Sequence, residues 1–386
     1  MPVRATKRGA QRTRLERDCD VLVCGASFAG LAVARELAGS GARVLVIDRY
    51  EVGERQTSAC AMPTLWMQAL DLTASLRQSF AELVVHTPFH TSRWKLPWSF
   101  STFDYQELCA LMWSQAAPSP DLEFETATVT GRAGYAVYTD RGELRAPLIV
   151  DALGWRRVLS HAAPIQPPNA RLSRGLEVHP GGRGEEMELW VDPRCIRAGY
   201  GWSFPARDEL RVGVGSFWPS HHVKEPTIRL AAELGLPPQG YQGNWIPHQL
   251  RAATEDGIFF VGDSAGHCLP LTAEGIRTAL YFGLACGREL RAVLDHRSTH
   301  AQALARYGDF SASHARKYGW LLNVQRAVGQ ITPSRAMTAI VRAFESRRLT
   351  AWVFGHYLAI APPSFVDAGG QPGGYRARRL AAAAAS

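Results

Sequence analysis

The chain has 386 residues, 46% of them hydrophobic, and a formal net charge of +8, a length that suits one large two-part domain or two to three domains with cores of their own. No apolar run approaches the roughly 18 residues that cross a bilayer, and no secretory signal pattern opens the chain, so we expect a cytoplasmic protein. The seven cysteines show no Cys-x-x-Cys spacing, which favours reduced thiols over a disulfide framework or a zinc site, and we expect no metal.

Residues 1–18 form a basic segment, which we assign to a disordered tail. Two acids and six cations give it a net charge of +4, the cations being Arg4, Lys7, Arg8, Arg12, Arg14 and Arg17. Such runs are usually solvated. The alternative is attraction to anionic lipid headgroups, which would place the protein at the periphery of a membrane. Nucleic-acid binding is not expected, because the cations are not interleaved with an aromatic platform.

A glycine motif follows the first apolar run of the chain, residues 21–24. The amphipathic stretch 31–37 and a second apolar run, 44–47, come next, so the order predicts strand, glycine turn, helix and strand. Glycines in such a turn let backbone N–H groups approach a pyrophosphate at a helix N-terminus, and an acid ending the second strand can bond a ribose. The predicted dinucleotide site comprises Gly25, Ser27, Ala29, Gly30, Asp48 and Arg49.

Two alternatives to this interpretation remain open. An ordinary parallel βαβ unit would also use glycines to tighten its turn. Asp48 disfavours a 2′-phosphate at the site by charge repulsion, although Arg49 is placed to accept one.

A second glycine motif follows the apolar run 258–261 and precedes a predicted helix over 274–294. Asp263 would stand at a strand end, where a carboxylate can bond a ribityl hydroxyl, and the helix N-terminus would face a flavin ring. A capped helix after a buried strand is the alternative. With the first motif, the segment predicts an FAD site that also includes Gly262, Asp263, Gly266, Pro270, Gly275 and Ile276.

The remaining sequence divides into a strand-rich and a helical part. Short apolar runs at 172–178, 187–191, 200–204 and 210–214 are separated by turn residues, as in an antiparallel sheet. The aromatic segment 94–103 is expected to add an edge strand. After about 298 the pattern is helical to 357, with a break at Thr332-Pro333.

The motifs, together with Tyr200-Gly201-Trp202-Ser203-Phe204-Pro205, resemble the geranylgeranyl reductase family of flavoproteins over residues 19–295. Aromatic hydroxylases, flavin halogenases and lycopene cyclases are relatives of that family. The resemblance implies that Tyr200 and Trp202 line the cavity facing the flavin, that the strand ending at Asp151 and Gly154 is a third flavin motif, and that Cys60 occupies the place of a cysteine that approaches the ring. Without the family, 200–205 would be a half-buried strand of alternating aromatics.

Two departures from the family pattern matter. The residues before Cys60 are Thr57-Ser58-Ala59 rather than the usual Pro-x-x, which leaves the role of the cysteine open. The segment Phe103-Asp104-Tyr105-Gln106-Glu107-Leu108 lacks the arginine that aromatic hydroxylases commonly place before the helix that covers the flavin, which weakens the hydroxylase interpretation.

The resemblance implies an FAD-dependent oxidoreductase that reduces carbon–carbon double bonds of a hydrophobic, isoprenoid-like or secondary-metabolite substrate. An aromatic cavity would suit such a substrate, and the expected substrate-binding residues are Tyr200, Trp202, Phe204, Trp190 and Trp218. Tyr200, Trp202 and Cys60 are the catalytic candidates.

Three other functions stay open on the same fold. They are an FAD-dependent monooxygenase or halogenase-like enzyme, a non-redox isoprenoid cyclase, and a flavin- or lipid-binding protein without turnover. Only one dinucleotide fingerprint is present, so electrons would come from NAD(P)H bound without its own Rossmann domain or from a ferredoxin-like carrier.

The expected fold class is α/β, with a Rossmann-like FAD-binding domain, an inserted antiparallel β-sheet substrate domain and C-terminal helices. The expected divisions are a basic tail at 1–18, the FAD-binding domain at 19–85, 104–170 and 250–295, the substrate domain at 86–103 and 171–249, a helical region at 296–365 and a flexible tail at 366–386.

Overall fold

The computed structural model describes residues 13–56, 58–117, 119–162, 169–331 and 334–367. Its strands, in chain order, are β1 (Arg17–Asp18), β2 (Val21–Cys24), β3 (Val44–Asp48), β4 (Ala61–Pro63), β5 (Leu76–His86), β6 (Thr91–Phe103), β7 (Leu122–Thr126), β8 (Val129–Ala133), β9 (Ala136–Thr139), β10 (Gly142–Arg145), β11 (Leu148–Asp151), β12 (Leu172–Val178), β13 (Glu188–Trp190), β14 (Gly199–Pro205), β15 (Leu210–Ser216), β16 (Gln242–Pro247), β17 (Thr254–Glu255) and β18 (Ile258–Phe260). Its α-helices are α1 (Phe28–Leu37), α2 (Thr64–Ala69), α3 (Tyr105–Ala116), α4 (Lys224–Glu233), α5 (Ile276–Leu294), α6 (His300–Ala312), α7 (Ala315–Val328), α8 (Ser334–Ala343) and α9 (Arg347–Leu358).

A parallel sheet brings the predicted motifs to one edge. Its strand order is β17-β18-β11-β2-β3-β7, and all neighbours pair in parallel except β17 with β18. The inner strands are short and apolar, apart from the aspartates that end β3 and β11, because helices or loops cover both faces of the sheet. Strands β2, β3, β11 and β18 end next to the first glycine turn, Asp48, the third motif and the second glycine motif, so all four lie at the carboxyl edge of this sheet.

Small residues let α5 pack closely on α1. A Cβ atom at Gly283 would lie 2.7 Å from both the Ala29 carbonyl oxygen and the Ala32 Cβ, and one at Gly287 would lie 2.6 Å from the Glu36 Cβ. Larger residues at either position would push the helices apart. Because α1 begins at the first motif and α5 at the second, this contact fixes the distance between them.

An eight-stranded sheet forms the second layer, in the order β16-β12-β15-β14-β13-β5-β6-β4. The four strands expected between 172 and 214 are present as β12 to β15. The predicted edge strand is confirmed only in part: β4 pairs with β6 at residues 100–102, whereas residues 91–95 pair in the described structure with β5 alone. Strands β4 and β5 belong to this sheet, although the sequence assigned residues 61–85 to the FAD-binding part.

Part of the predicted basic tail is ordered. Strand β1 pairs in parallel with β10 in a four-stranded sheet, β1-β10-β9-β8, and Leu15 is buried. Leu15 and strand β1 are therefore part of the fold rather than of a disordered tail. The remainder of that tail, residues 1–12, and the C-terminal cations Arg376, Arg378 and Arg379 lie outside the described residues.

Helices α6 to α9 follow the two motifs, as the sequence predicts. The expected break at Thr332-Pro333 falls between α7 and α8 and lies outside the described residues. Within the described ranges, no helix combines the length and apolarity needed to span a membrane.

Candidate FAD and substrate site

The first turn can be built only with glycine at two positions. Gly25 has φ +114°, and a Cβ there would overlap the carbonyl oxygen of Ala152, while a Cβ at Gly30 would overlap the carbonyl oxygen of Gly25. Helix α1 begins directly after this turn, and the side chain of its N-cap residue Ser27 does not cap it. The first-turn N–H groups are therefore left to bind an anion.

Asp48 stands at the end of β3 beside this turn. Its carboxylate accepts hydrogen bonds from the backbone N–H of Ala26 (2.8 Å) and of Tyr50 (3.1 Å). Burial raises the pKa of Asp48, and these two bonds only oppose that effect. Arg49 is exposed, with its guanidinium 4.9 Å from the centre of the Tyr50 ring. Asp48 thus anchors the turn and keeps lone pairs for a ribose.

Tyr105 closes the turn from the side of α3. Its hydroxyl lies 3.1 Å from the Ser27 hydroxyl, and its ring meets Phe28 edge-on at 5.5 Å. Asp104 caps α3 by accepting a bond from the backbone N–H of Glu107 (2.9 Å). Tyr105 is thus the first residue of α3, within the 103–108 segment that lacks an arginine.

Asp151, which the sequence predicts to bind the cofactor, accepts hydrogen bonds from groups of the protein itself. It is fully buried and accepts bonds from the backbone N–H groups of Leu153 (2.9 Å) and Leu159 (2.8 Å) and from the Ser264 hydroxyl (2.6 Å). The same hydroxyl lies 3.0 Å from the Gly154 carbonyl oxygen. Asp151 and Gly154 thus tie the third motif to the second, and direct cofactor contact is not favoured for Asp151.

The second motif forms a 3-10 turn, Gly262–Ala265, with glycines in left-handed conformations at both ends. Gly262 has φ +64° and Gly266 φ +66°, and a Cβ at Gly266 would overlap the Gln249 carbonyl oxygen. Asp263 lies inside this turn, and its Oδ1 is 3.6 Å from where a Cβ of Gly275 would stand. The carboxylate therefore sits beside the N-terminus of α5.

The surroundings of Asp263 suit a carboxylate that accepts a hydrogen bond from a ligand hydroxyl. Burial raises the pKa of Asp263 to about 6, with the charge of Arg251 opposing the shift, and no donor in the described part of the chain bonds its carboxylate. Helix α5 begins at Ile276, and no side chain caps it. The carboxylate can accept a hydrogen bond from a ribityl hydroxyl, and the N–H groups at the uncapped start of α5 can donate to a flavin ring.

A buried ion pair holds the segment that joins the turn to α5. Arg277 is fully buried, pairs with Glu274 at 2.7 Å and donates to the Ala361 carbonyl oxygen at 3.0 Å. Tyr357 of α9 donates to the same glutamate. The carbonyl oxygen of Pro270 accepts from Gln325 of α7. The flavin segment is thus braced by the C-terminal helices.

Comparison with known proteins agrees with this geometry. Residues 18–133 match the family described as FAD binding domain. The chain is 24% identical over 337 residues to digeranylgeranylglycerophospholipid reductase 3 of Methanosphaera stadtmanae, covering 78% of this chain and 84% of that protein. The match to a geranylgeranyl bacteriochlorophyll reductase-like structure from Thermoplasma acidophilum has a TM-score of 0.78 at 15% identity and covers 92% of this chain and 98% of the other.

The chain is an FAD-dependent oxidoreductase that is similar to geranylgeranyl reductases. A probable FAD-dependent monooxygenase from Pseudomonas aeruginosa shares the fold more distantly, with a TM-score of 0.60 at 19% identity over 88% of this chain and all of that one. The fold alone therefore does not separate reduction from oxygenation.

In this oxidoreductase the Tyr200 hydroxyl reaches the flavin segment, residues 266–275 between the second glycine turn and α5. It donates a hydrogen bond to the Thr272 carbonyl oxygen at 2.6 Å. Its ring lies 6.1 Å from that of Trp202, two residues along the same strand. Alternate residues of a strand share a face of the sheet. Both aromatic side chains therefore stand on the face that meets the FAD domain.

The indole of Trp202 lies on a floor of glycines. Gly213, its cross-strand partner, has no room for a Cβ because the indole ring occupies that place. Cβ atoms at Gly215 and Gly175 would lie 3.4 and 3.5 Å from the ring. Glycines on two neighbouring strands thus let a large ring lie flat on the sheet.

The other expected substrate residues are divided between the two faces. Phe204 is two residues beyond Trp202 and packs with a cluster that includes Met187 and Met337. Trp190 pairs with Gly201, and a Cβ at Gly201 would face Leu230 of α4. Trp190 therefore lies on the opposite face of the sheet from Tyr200 and Trp202, which form the aromatic wall.

Trp218 lies beyond the end of β15, is 37% exposed and contacts His221 edge-on at 4.7 Å. It is a surface residue. A cavity of about 490 Å³ lined by Gln78, Arg183, Gly184, Glu185, Arg207 and Asp208 contains none of the expected substrate residues.

Cys60 is buried away from solvent with φ +52°. Its thiol donates to the Ser58 carbonyl oxygen at 3.1 Å, and burial raises its pKa well above the ordinary value. Thiolate chemistry at Cys60 is therefore disfavoured, and its catalytic assignment remains a hypothesis.

Sequence reasoning missed Tyr105, Glu274, Arg277 and the glycines under Trp202. The alternation Gly213-Val214-Gly215 opposite the aromatic strand was the available signal, because glycine weakens a strand unless something packs against it.

Proposed function

We propose that this oxidoreductase holds FAD without a covalent bond and reduces carbon–carbon double bonds of a polyprenyl lipid or a similar hydrophobic substrate. The observation that carries the proposal is the direct link between the aromatic wall and the flavin segment, from the Tyr200 hydroxyl to the Thr272 carbonyl oxygen at 2.6 Å. The reductase names of the curated relatives support the substrate class.

When FAD is bound and reduced it would supply a hydride to the alkene, a nearby acid or water would supply the proton, and the protein's part is to bind and orient the substrate and to exclude other water. Gly25, Gly30 and the start of α1 would hold the pyrophosphate, and Asp263 the ribityl chain. The start of α5 would stabilise negative charge on the flavin. Tyr200 and Trp202 would press the alkene toward the ring.

The runner-up is an oxygen-dependent hydroxylase, since a probable monooxygenase shares the fold. The segment 103–108 lacks the arginine that hydroxylases commonly place before the helix that covers the flavin, which favours the reductase. A non-redox cyclase and a binding protein without turnover are outcomes of the test.

The test is a single turnover of the reduced holoenzyme with a geranylgeranyl lipid, analysed by mass spectrometry with and without oxygen. The proposal expects a product two hydrogens heavier in both atmospheres. A product heavier by one oxygen, formed only in air, would establish the hydroxylase, and an isomer of unchanged mass would establish the cyclase. Unchanged lipid would leave a binding protein.

We infer that electrons arrive from outside the chain's own dinucleotide site. One fingerprint is present, and the first motif suits FAD, so NAD(P)H would bind transiently or a ferredoxin-like carrier would dock. Stopped-flow reduction of the flavin with each donor distinguishes them.

We also propose that helices α7 to α9 contact an anionic membrane surface. Residues 315–358 contain seven cations and one acid, a net of +6. Trp320 and Trp352 are each 63% exposed and Ile340 is 45% exposed. Exposed aromatics among cations suit a lipid interface. Loss of binding to vesicles containing phosphatidylglycerol in Trp320→Ser/Trp352→Ser would support this contact, and unchanged binding would oppose it.

A further inference from the structure

We propose that three buried residues, Glu177, His179 and Arg211, act together with the partly buried Glu209 as a positioning unit for the Trp202 indole and for the 58–60 segment. The assignment rests on the proposed function, because it treats Trp202 as part of the substrate wall. None of the four carries a cofactor or substrate role in the sequence analysis.

Glu177 holds the indole directly. It is 3% exposed, and its Oε2 accepts the Trp202 Nε1–H at 3.1 Å. Its Oε1 accepts the amide of Gln242 at 2.8 Å and lies 2.9 Å from Nε2 of His179. A ring that lies on glycines has no bulky side chain beneath it to fix its tilt, so this hydrogen bond sets the orientation of the indole.

His179 joins two carboxylates. It is 1% exposed, with Nε2 facing Glu177 and Nδ1 lying 3.1 Å from Oε1 of Glu209. Arg211 donates to that same oxygen at 3.0 Å. An imidazole placed between two carboxylates satisfies both only when it is protonated, because the neutral ring has a single N–H.

The unit extends to the segment in which the sequence expected a reactive cysteine. Arg211 donates to the carbonyl oxygens of Ala59 (2.8 Å) and Cys60 (3.2 Å). Gln242 donates to that of Ser58 at 3.1 Å. Trp202 and the 58–60 segment are therefore linked through side chains on β12, β15 and β16, and a change in the charge of the unit reaches both.

The protonation of His179 controls this link. Burial lowers its pKa, but Glu177 and Glu209 outweigh that effect and raise it to about 8. Burial raises the pKa of the Glu209 carboxyl, but the hydrogen bond and charge of His179 and, to a smaller extent, the charge of Arg211 act against burial, and this pKa lies well below its usual range. The segment 236–242 packs beside His179 and contains no charged residue. Its Gln239 carbonyl oxygen accepts a hydrogen bond from the backbone N–H of His179.

The sign of the pH dependence follows. A histidine whose pKa is raised on folding stabilises the folded arrangement below about pH 6.5, and that contribution is lost as the pH rises through about 8. Above that pH one carboxylate loses a donor, and the indole and the 58–60 segment are held less firmly.

The first test needs no variant of the unit. Trp202 emission is obtained as the difference between the fluorescence of wild-type holoenzyme and of Trp202→Phe, recorded from pH 6 to pH 9.5. The proposal expects this difference to titrate with a midpoint near 8. A difference that is flat across this range would overturn it, whatever substrate the enzyme proves to act on.

The second test compares His179→Gln with a matched control, His86→Gln. His86 also bonds a glutamate, Glu188, at 2.9 Å, and it stacks on Trp190, on the opposite face of the sheet from Trp202. The proposal expects His179→Gln to abolish the titration and to lower kcat/KM at pH 7 by about tenfold, as expected for one hydrogen bond to a charged group. His86→Gln should change neither.

The two proposals fail in different ways. If no alkene is reduced but the emission titrates and His179→Gln abolishes the titration, the positioning unit stands and the proposed reaction falls. If alkene reduction is observed while His179→Gln keeps both the wild-type pH profile and the wild-type emission, the reaction stands and the positioning unit falls. A His179→Gln chain that does not fold leaves the wild-type titration as the deciding result.

Discussion

The cofactor edge of the parallel sheet and the aromatic face of the eight-stranded sheet are built by different means. At the cofactor edge, backbone geometry does the work: Gly25, Gly30 and Gly266 occupy places where any Cβ would overlap a carbonyl oxygen. On the aromatic face, side chains from separate strands meet, and the glycines serve as a floor for one ring. The glycine turns of the cofactor edge therefore tolerate almost no change of residue. On the aromatic face, the orientation of the Trp202 indole depends on the charge of the side chains that hold it.

The sharpest way to break this contrast is Gly30→Val. A branched side chain would be forced into the carbonyl oxygen of Gly25, and we expect a loss of about 3 kcal/mol or more in the free energy of unfolding and no retained FAD. Chemical denaturation and the flavin absorbance of the purified chain measure both. Gly319→Ala, at an open position in α7, should keep the flavin and stay as stable as the wild type or gain slightly.

Removing one carboxylate from the cofactor edge should weaken binding without unfolding the chain. We expect Asp263→Ala to raise the Kd for FAD about ten- to hundredfold, through loss of a hydrogen bond worth roughly 1.5–3 kcal/mol. Titration of the apoprotein with FAD, with Asp263→Asn as the isosteric control, measures this. Unchanged affinity in Asp263→Ala would remove this residue from the site.

The same residue predicts a pH effect on the apoprotein. An acid whose pKa is raised on folding, here to about 6 from 3.8, makes the folded state less stable as the pH rises through that window. Asp263→Ala without FAD should therefore melt at the same or a higher temperature than wild type at pH 7, with the difference vanishing below about pH 4. A lower melting temperature at pH 7 would contradict the account of an unpaired carboxylate.

A matched pair of glycines tests the aromatic face. Gly213→Ala would place a methyl group where the Trp202 ring lies and 2.7 Å from the Glu177 Cβ, whereas the methyl of Gly215→Ala would meet the ring at 3.4 Å. We expect Gly213→Ala to lower stability by about 1–3 kcal/mol and to weaken substrate binding, with FAD content unchanged. Gly215→Ala should be close to wild type. Equal behaviour of the two variants would mean that the indole does not depend on this floor.

The smallest effect is expected from Cys60→Ala. The thiol is buried, and burial raises its pKa, so its removal should cost about 1 kcal/mol of stability and change kcat by less than about threefold. A general acid or a nucleophile would lose on the order of a hundredfold or more. Such a loss, measured by single turnover, would return Cys60 to the catalytic residues.

The contrast also explains what could be predicted from sequence. The cofactor strands, the helices α1 and α5 and most of the antiparallel strands followed from local patterns, because a glycine turn after an apolar run has few structural solutions. The hydrogen bond from the Ser264 hydroxyl to Asp151 could not be predicted, since the two residues lie more than a hundred positions apart.

The positioning unit was beyond sequence reasoning for the same physical reason. Glu177 and Gln242, for example, are brought together only by the register of β12 with β16. The burial of Leu15 and the pairing of β1 likewise depend on β10, which no local pattern in the basic segment indicated. Trp190 was misplaced because alternation predicts two faces without saying which one meets the flavin.

The most direct test of the central claim is anaerobic reoxidation of the reduced holoenzyme on mixing with a geranylgeranyl lipid, followed by flavin absorbance in a stopped-flow instrument. The account predicts that the oxidised flavin spectrum returns without oxygen, at a rate that increases with lipid concentration. It also predicts that Gly213→Ala shows a slower return than Gly215→Ala. A flavin that stays reduced until oxygen is admitted, at every lipid concentration, would contradict the account.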